Sequence, residues 1–432
     1  MPIAGGNMLL TAAGSHKDGK RTNSDRDDGN SSLYWNREEE NGRRYEVNGR
    51  YYLAEYGSPG PLDNPTRDTR ERYEKGSLDT RLAGLLGGTG TYSVSPYVDM
   101  VTLRDRSQSG FTSNLEDIKV GVKSDTTWSE KGGLWSLRIG SILENDDLDH
   151  SIAGSHDRAM ADLSAQYDRR FGPLTGTVGL RGNYTSDFDF NPGTTFGLGY
   201  ALSKETLMRA KAGYAANVPT FGQLYQTSHG SIDQVRGNID LREERVWSYD
   251  FGLEHTFGKE RSFQATLFRA DTQDLIIYRR GADKIYRPVN IPSAERQGME
   301  MTLRYEWRTG LAAEWNAILQ TSRNGDTGKD LPYTPRVKFK TTLQYTLARL
   351  KTRLEGTIRY EDTRFSEAED LMTQRLDSYL VVDVKIIQPF SAKGYAGEWF
   401  LKVENACNTA FQTHYGYPDE GLRFVIGAQT RF

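Results

Sequence analysis

Along most of this chain, hydrophobic and polar side chains alternate with a period of two. Met299, Met301, Leu303, Tyr305 and Trp307 alternate with Glu300, Thr302, Arg304 and Glu306. Trp135, Leu137, Ile139 and Leu143 alternate with Ser136, Arg138 and Glu144, and Val337, Phe339, Leu343 and Tyr345 with Lys338, Lys340 and Gln344. Leu350, Leu354, Ile358 and Tyr360 alternate with Lys351, Arg353, Glu355 and Arg359, and Tyr249, Phe251, Leu253 and Phe257 with Asp250, Gly252 and Glu254. A period of two sends successive side chains to opposite faces of a sheet. The last strand repeats the pattern: Leu422, Phe424, Ile426, Ala428 and Phe432 share one face, while Arg423, Gln429 and Arg431 share the other. The segments run to roughly 9–12 residues, longer than the mode of about 5–6 for globular strands and matched to the length of a tilted membrane strand. An apolar face opposite a charged one suits a strand with lipid on one side and water on the other.

Composition sharpens this reading. Of 432 residues, 36% are hydrophobic and 26% charged, and no run approaches the length of a membrane helix. A transmembrane barrel hides its membrane character because half of each strand is polar. Twenty-four tyrosines and seven tryptophans supply enough rings for interfacial girdles. A formal charge of −3 argues against nucleic acid as a partner. The single cysteine, Cys407, excludes an intrachain disulfide and a multi-cysteine metal site.

Turn clusters divide the strands. Tight candidates are Glu39–Gly42, Gly87–Gly90, Glu130–Gly133, Arg170–Pro173, Ser203–Thr206, Gly258–Arg261 and Arg308–Gly310. Longer polar stretches lie between them: Ser58 to Arg72, Asn145 to His156, Asn217 to Arg242 and Ala406 to Glu420. Short turns on one side and long loops on the other describe a bacterial outer-membrane barrel, here of about 20 antiparallel strands and even in number. The first strand is expected near Met8 to Ser15, with both termini on the periplasmic side. The turn spacing also raises a propeller, but each period holds two long strands rather than four short ones. The expectation is an all-β, single-domain transmembrane β-barrel over residues 1–432. The segment Met1–Ala13 has no basic n-region and only a stub of apolar sequence, so it is not an export signal. The chain reads as incomplete at its N-terminus.

From Ala215 onward the chain resembles the C-terminal part of TonB-dependent outer-membrane receptors. Asn217-Val218-Pro219-Thr220-Phe221-Gly222-Gln223-Leu224-Tyr225 resembles that family's R-x-P-[ST]-F-x-E-L-Y stretch, and Gly237-Asn238-Ile239-Asp240-Leu241-Arg242-Glu243-Glu244 its G-N-P-D-L-K-P-E stretch. Tyr249–Glu254, Phe268–Tyr278, Asn290–Glu300, Leu331–Pro335, Val403–Asn408 and His414–Pro418 follow in the family's order. Tyr56–Pro61 points to its vitamin B12 and siderophore receptors. Asn217 stands where the family often has Arg, and Ile239 where it has Pro.

The resemblance implies a 22-stranded barrel, two strands more than the turns count, in the outer membrane of a Gram-negative bacterium. It implies binding of a scarce ligand, such as an iron–siderophore, cobalamin or haem, and transport driven by TonB through an N-terminal plug. The expectation is that this chain lacks that plug, so TonB would act only if a plug is supplied upstream. The family's terminal aromatic serves recognition by the outer-membrane assembly machinery, which assigns that role to Phe432. In haem receptors of the family a histidine between the two motifs ligates iron, which marks His229; imidazole suits haem iron. An ordinary surface histidine is the simpler reading.

Other candidate chemistry is sparse. Tyr225, Tyr415 and Tyr417 are expected at the extracellular mouth as ligand contacts; girdle rings are the alternative. Asp146, Asp147 and Asp149 offer oxygen ligands to a loop-bound calcium ion, and Asp25, Asp27 and Asp28 do the same. Neither cluster has the Asp-x-Asp-x-Asp-Gly framework, and solvated loop charge explains both. No resident cofactor is expected, and no nucleophile or phosphate-loop motif points to an enzyme. The alternatives to a receptor barrel are a passive outer-membrane porin or structural β-barrel that never had a plug, and a soluble all-β binding protein.

Overall fold

The computed structural model describes residues 2–3, 5–227, 235–392 and 395–431. Among them, twenty strands are nine residues or longer, and with the two-residue strand Pro2–Ile3 they belong to one sheet of 21 strands. This agrees with the count of about 20 read from the turns. Among the described residues no helix is long and apolar enough to cross a membrane. Contacts divide the chain into two units: residues 1–198, 213–246 and 274–291, and residues 199–212, 247–273 and 292–432.

In the first unit, nine strands from Gly6–Lys17 to Leu174–Thr185 pair in chain order, each antiparallel to the next. Glycines at positive φ make the tight reversals, among them Gly133 (φ 67°) and Gly172 (φ 59°); a Cβ disfavours that region. The alternation reads through as two faces. Leu78, Val98, Val120, Leu143 and Leu163 stand on one face and are exposed. The other face carries charge: Lys119 pairs with the buried Asp146 at 2.5 Å, and Arg138 and Asp125 share that side. Gly121 sits directly between Tyr97 and Glu144, and a Cβ there would lie 2.5 Å from the Tyr97 ring. The bare glycine lets the phenol cross a strand and donate to the Glu144 carboxylate.

In the second unit, seven consecutive antiparallel strands follow the same logic, from Tyr286–Glu306, which enters the unit at Pro292, through Leu311–Asn324, Val337–Thr346, Arg353–Glu361, Tyr379–Ala392 and Tyr395–Glu404 to Arg423–Arg431. Leu303, Trp315, Thr341, Ile358 and Val382 are consecutive partners across five strands, and Val403 partners Phe424. On the other face Arg304 donates to Glu314 at 2.7 Å and Arg423 to Glu404 at 2.9 Å. Phe424 (67% exposed) and Ile426 (80%) share the apolar face as expected, opposite Arg423 and Gln429. The side chain of Arg431, and Phe432 altogether, lie outside the described residues.

Neither unit has the core of a water-soluble protein. The buried apolar side chains of the first gather at Leu148, Phe221, Leu224, Leu241, Ile285 and Ile291, near the longer loops, while the apolar face of the strands is bare. Contiguous exposed apolar surface on that scale needs a nonpolar solvent.

Two sequence expectations change. The stretch from Asn145 to His156 is not a loop: strand Trp135–His150 runs on, and only Ser151–Ala153 turn before strand Gly154–Phe171. Backbone pairing continues there without an apolar alternation to mark it, since Asn145, Asp147 and Asp149 occupy one face and Leu148 alone is apolar on the other. Leu350 and Lys351 lie in a turn rather than in strand Arg353–Glu361; Lys351 adopts φ 54°.

Candidate functional site

The first unit holds a pocket where the receptor-like motifs return to the strands. Thr220 caps the short helix Phe221–Tyr225 through a reciprocal bond pattern with Gln223, the arrangement that satisfies two free helix-start donors. Phe221 and Leu224 point inward and are buried. Arg158, from strand Gly154–Phe171, anchors the approach. Its guanidinium grips Asp187 in two bonds of 2.9 and 2.6 Å, donates to the Pro219 carbonyl at 3.0 Å, and lies 4.8 Å from the centre of the Phe221 ring. A cation over an aromatic face contributes about 0.5–2 kcal/mol, more when desolvated.

The second motif locks onto the first. Gly237 donates to Gln226 at 2.7 Å and Asn238 to Gln223 at 2.9 Å, while the Asn238 side chain donates to the Pro288 carbonyl. A Cβ on Gly237 would sit 2.3 Å from the Leu224 carbonyl oxygen, so only glycine permits this approach. The resemblance between this sequence and the two family stretches therefore reflects one docked substructure.

Beneath the helix lies a cavity of about 410 Å³. Leu103, Leu115 and Leu148 form its apolar floor, and Phe221 and Tyr225 its cover. Glu71, Asp105 and Asp117 place three carboxylates around it, from three neighbouring strands. All three share the charged face with Lys119 and Asp146. Tyr56 donates to Glu71 at 2.9 Å. Oδ1 of Asp117 and Oδ1 of Asp146 are both buried without a hydrogen-bond donor among the described residues. Such oxygens attract a cation or an N–H or O–H donor. A concave, largely apolar site with a few convergent polar groups is the usual form of a small-molecule pocket.

The residues singled out in the sequence fall in different places. Tyr225 covers the pocket, its ring stacked on His156 at 3.5 Å between centroids. His229 lies outside the described residues. Tyr415 and Tyr417 belong to the second unit, by the short hairpin of Gln412–His414 and Tyr417–Pro418. There the Tyr415 hydroxyl donates to the Thr373 carbonyl at 3.1 Å, and burial raises the pKa of nearby Tyr333. The aspartates expected to share a loop do not come together: Asp146 is buried on the charged face beside Lys119, whereas Asp147 and Asp149 point to the opposite face of the same strand. Adjacent strand residues cannot share a side. Asp27 and Asp28 divide likewise, Asp27 bonding His16 and Asp28 bonding Ser15. Among the described residues no group of three or more His, Cys, Asp or Glu is arranged to hold a metal ion.

Glu71, Asp105, Asp117, His156 and Arg158 were not found from the sequence. Each is an ordinary polar member of an alternating strand, and only the register between strands brings them under one helix.

The fold is shared with known proteins. A family model described as "TonB dependent receptor-like, beta-barrel" matches residues 5–406. Among solved structures, the copper transporter OprC superposes with a TM-score of 0.82 at 14% identity, covering 98% of this chain and 76% of OprC. A mutant of the ferric enterobactin receptor PfeA from Pseudomonas aeruginosa gives 0.79 at 17% identity, with 99% and 76% covered. The FrpB iron transporter from Neisseria meningitidis gives 0.80 at 12%, with 99% and 77% covered. The chain belongs to the TonB-dependent receptor β-barrel family, whose members are outer-membrane receptors and transporters.

Proposed function

We propose that this chain is the barrel of an outer-membrane receptor that captures a scarce small ligand at its loop side for TonB-dependent uptake. The observation that carries the reading is the pocket under the capped helix, where the family's two sequence stretches, an apolar floor and three carboxylates meet. The carboxylates favour a neutral or cationic ligand over an anionic one, because a second negative charge in a half-buried acidic site is repelled. Among the ligand classes the resemblance implies, this supports cobalamin or a positively charged iron chelate over an anionic iron–catecholate. No observation favours the passive porin over this reading.

Binding to the chain folded in detergent tests the proposal. Cyanocobalamin, a cationic ferric trihydroxamate, an anionic ferric tris-catecholate and haemin should be compared by calorimetry. Binding of one of the first two, weakened roughly tenfold by Asp117→Asn with Glu71→Gln, is the expected result, since a charge-assisted hydrogen bond contributes about 1.5–3 kcal/mol. Tight binding of the catecholate that the double variant leaves unchanged would overturn it.

A further inference from the structure

On the apolar side of the first unit, four arginines form a block just beyond the edge of the apolar surface. Strands Arg70–Leu86 and Gly90–Arg106 pair so that Arg70 stands opposite Arg106 and Arg72 opposite Arg104. All four share the face of Val98 and Met100, not that of Tyr97 and Asp105. Like charges directly opposite one another destabilise a sheet, so the arrangement calls for an anion between them.

Two of the four are already supplied from within the chain. Arg70 donates to both oxygens of Asp25, at 2.7 and 2.8 Å, and holds that carboxyl below its usual range. Arg72 donates to Glu74 at 2.8 Å, and the Tyr51 hydroxyl binds the same carboxylate at 2.7 Å. Arg104 and Arg106 are exposed and have no ion pair among the described residues. Their partners on the next strand, Asn114 and Thr112, are neutral.

Depth gives the chemistry of the missing anion. Met100 is the outermost apolar residue of this face on its strand, and the face is polar from Thr102 onward. Four residues separate Met100 from Arg104, about 13 Å along a strand and about 9 Å above the apolar edge at the tilt of a membrane strand. Lipid headgroups reach about 5–8 Å beyond the hydrocarbon boundary, and the long side chain of an arginine rooted just above that level brings its guanidinium back among them. Paired guanidinium groups match phosphate oxygens in geometry as well as in charge. The geometry points to a binding site for a phosphorylated headgroup of an outer-leaflet lipid, held by Arg104 and Arg106 with Arg72 beside them. The lipid's acyl chains would continue down over Met100 and Val98. This inference rests on the membrane placement of the barrel, not on the ligand of the pocket.

The test uses the full chain folded in phosphatidylcholine vesicles doped with a phosphorylated glycolipid, or with the same glycolipid after phosphatase treatment. The vesicles are then dissolved in mild detergent, and bound lipid is counted by native mass spectrometry. Wild type should retain the phosphorylated glycolipid and release the dephosphorylated one, and millimolar inorganic phosphate should not displace it. Arg104→Gln with Arg106→Gln should cut retention roughly tenfold or more, while Arg44→Gln, on the charged face, should leave it unchanged. Folding of each variant is checked independently by its heat-modifiable gel mobility. Equal retention by folded wild type and double variant, equal loss in Arg44→Gln, or retention of the dephosphorylated lipid would overturn the site. Displacement by inorganic phosphate would also overturn it, by showing a free-anion site. A wild type that does not fold in vesicles contradicts the membrane placement itself, a result separate from a folded barrel that holds no lipid.

Discussion

A single missing Cβ holds the candidate site together. Gly237 lies against the backbone of Leu224, and its N–H closes the loop onto Gln226. Gly237→Ala must push the capped helix away from the strands, because the obstacle is backbone and not a side chain that can rotate. The cost is on the order of 1–3 kcal/mol, as for other overpacked sites. Limited proteolysis should show faster cleavage within 217–242 for Gly237→Ala, with the strands still protected. Unchanged cleavage would mean that the helix docks by other contacts. Residue identity in the motif was legible in the sequence, but its reason was not. Glycine next to Asn238 reads as a turn signal, and only the docked geometry shows a close approach.

At the scale of one element, the last strand gives the cleanest test of facing. Ile426 is opposite Leu401 on the exposed apolar face, and Gln429 opposite Glu398 on the other. Arginine on a lipid face costs about 2–4 kcal/mol at mid-bilayer and less near the interface. Ile426→Arg should therefore lower the folded fraction in vesicles well below that of Gln429→Arg, read as the heat-modifiable band. Equal yields would mean that the two faces are exchanged. The facing of this strand follows from its own residues, since alternation needs no knowledge of neighbours. The ends of strands are less legible. Strand Trp135–His150 continues through Asn145, Asp147 and Asp149, where the outward face is polar and Leu148 is the one apolar residue of the other face. The hydrogen-bonded ladder extends past the apolar band, and composition there is the same as in a loop.

For the molecule as a whole, the exposed apolar face sets the solvent. Leu143, Leu163, Leu180, Phe196 and Ile426 are all more than half exposed, and a protein that leaves such side chains bare folds only where lipid or detergent covers them. Refolding from urea should give a strand-dominated circular dichroism spectrum and shifted gel mobility in detergent, and aggregation in plain buffer. A stable monomer without detergent would contradict the fold assignment. The class of the fold, the number of long strands, the positions of the tight turns and the two-faced chemistry were all determined by the sequence alone. Each depends on residues within one strand or one turn, where local sterics and a period of two suffice. The tertiary structure decided what lies across from what. The carboxylates around the pocket and the opposed arginines at Arg70, Arg72, Arg104 and Arg106 depend on register and on loops folding back over strand ends. Those relations join residues tens to more than a hundred positions apart, and no local pattern in a chain encodes which distant segment will supply the partner.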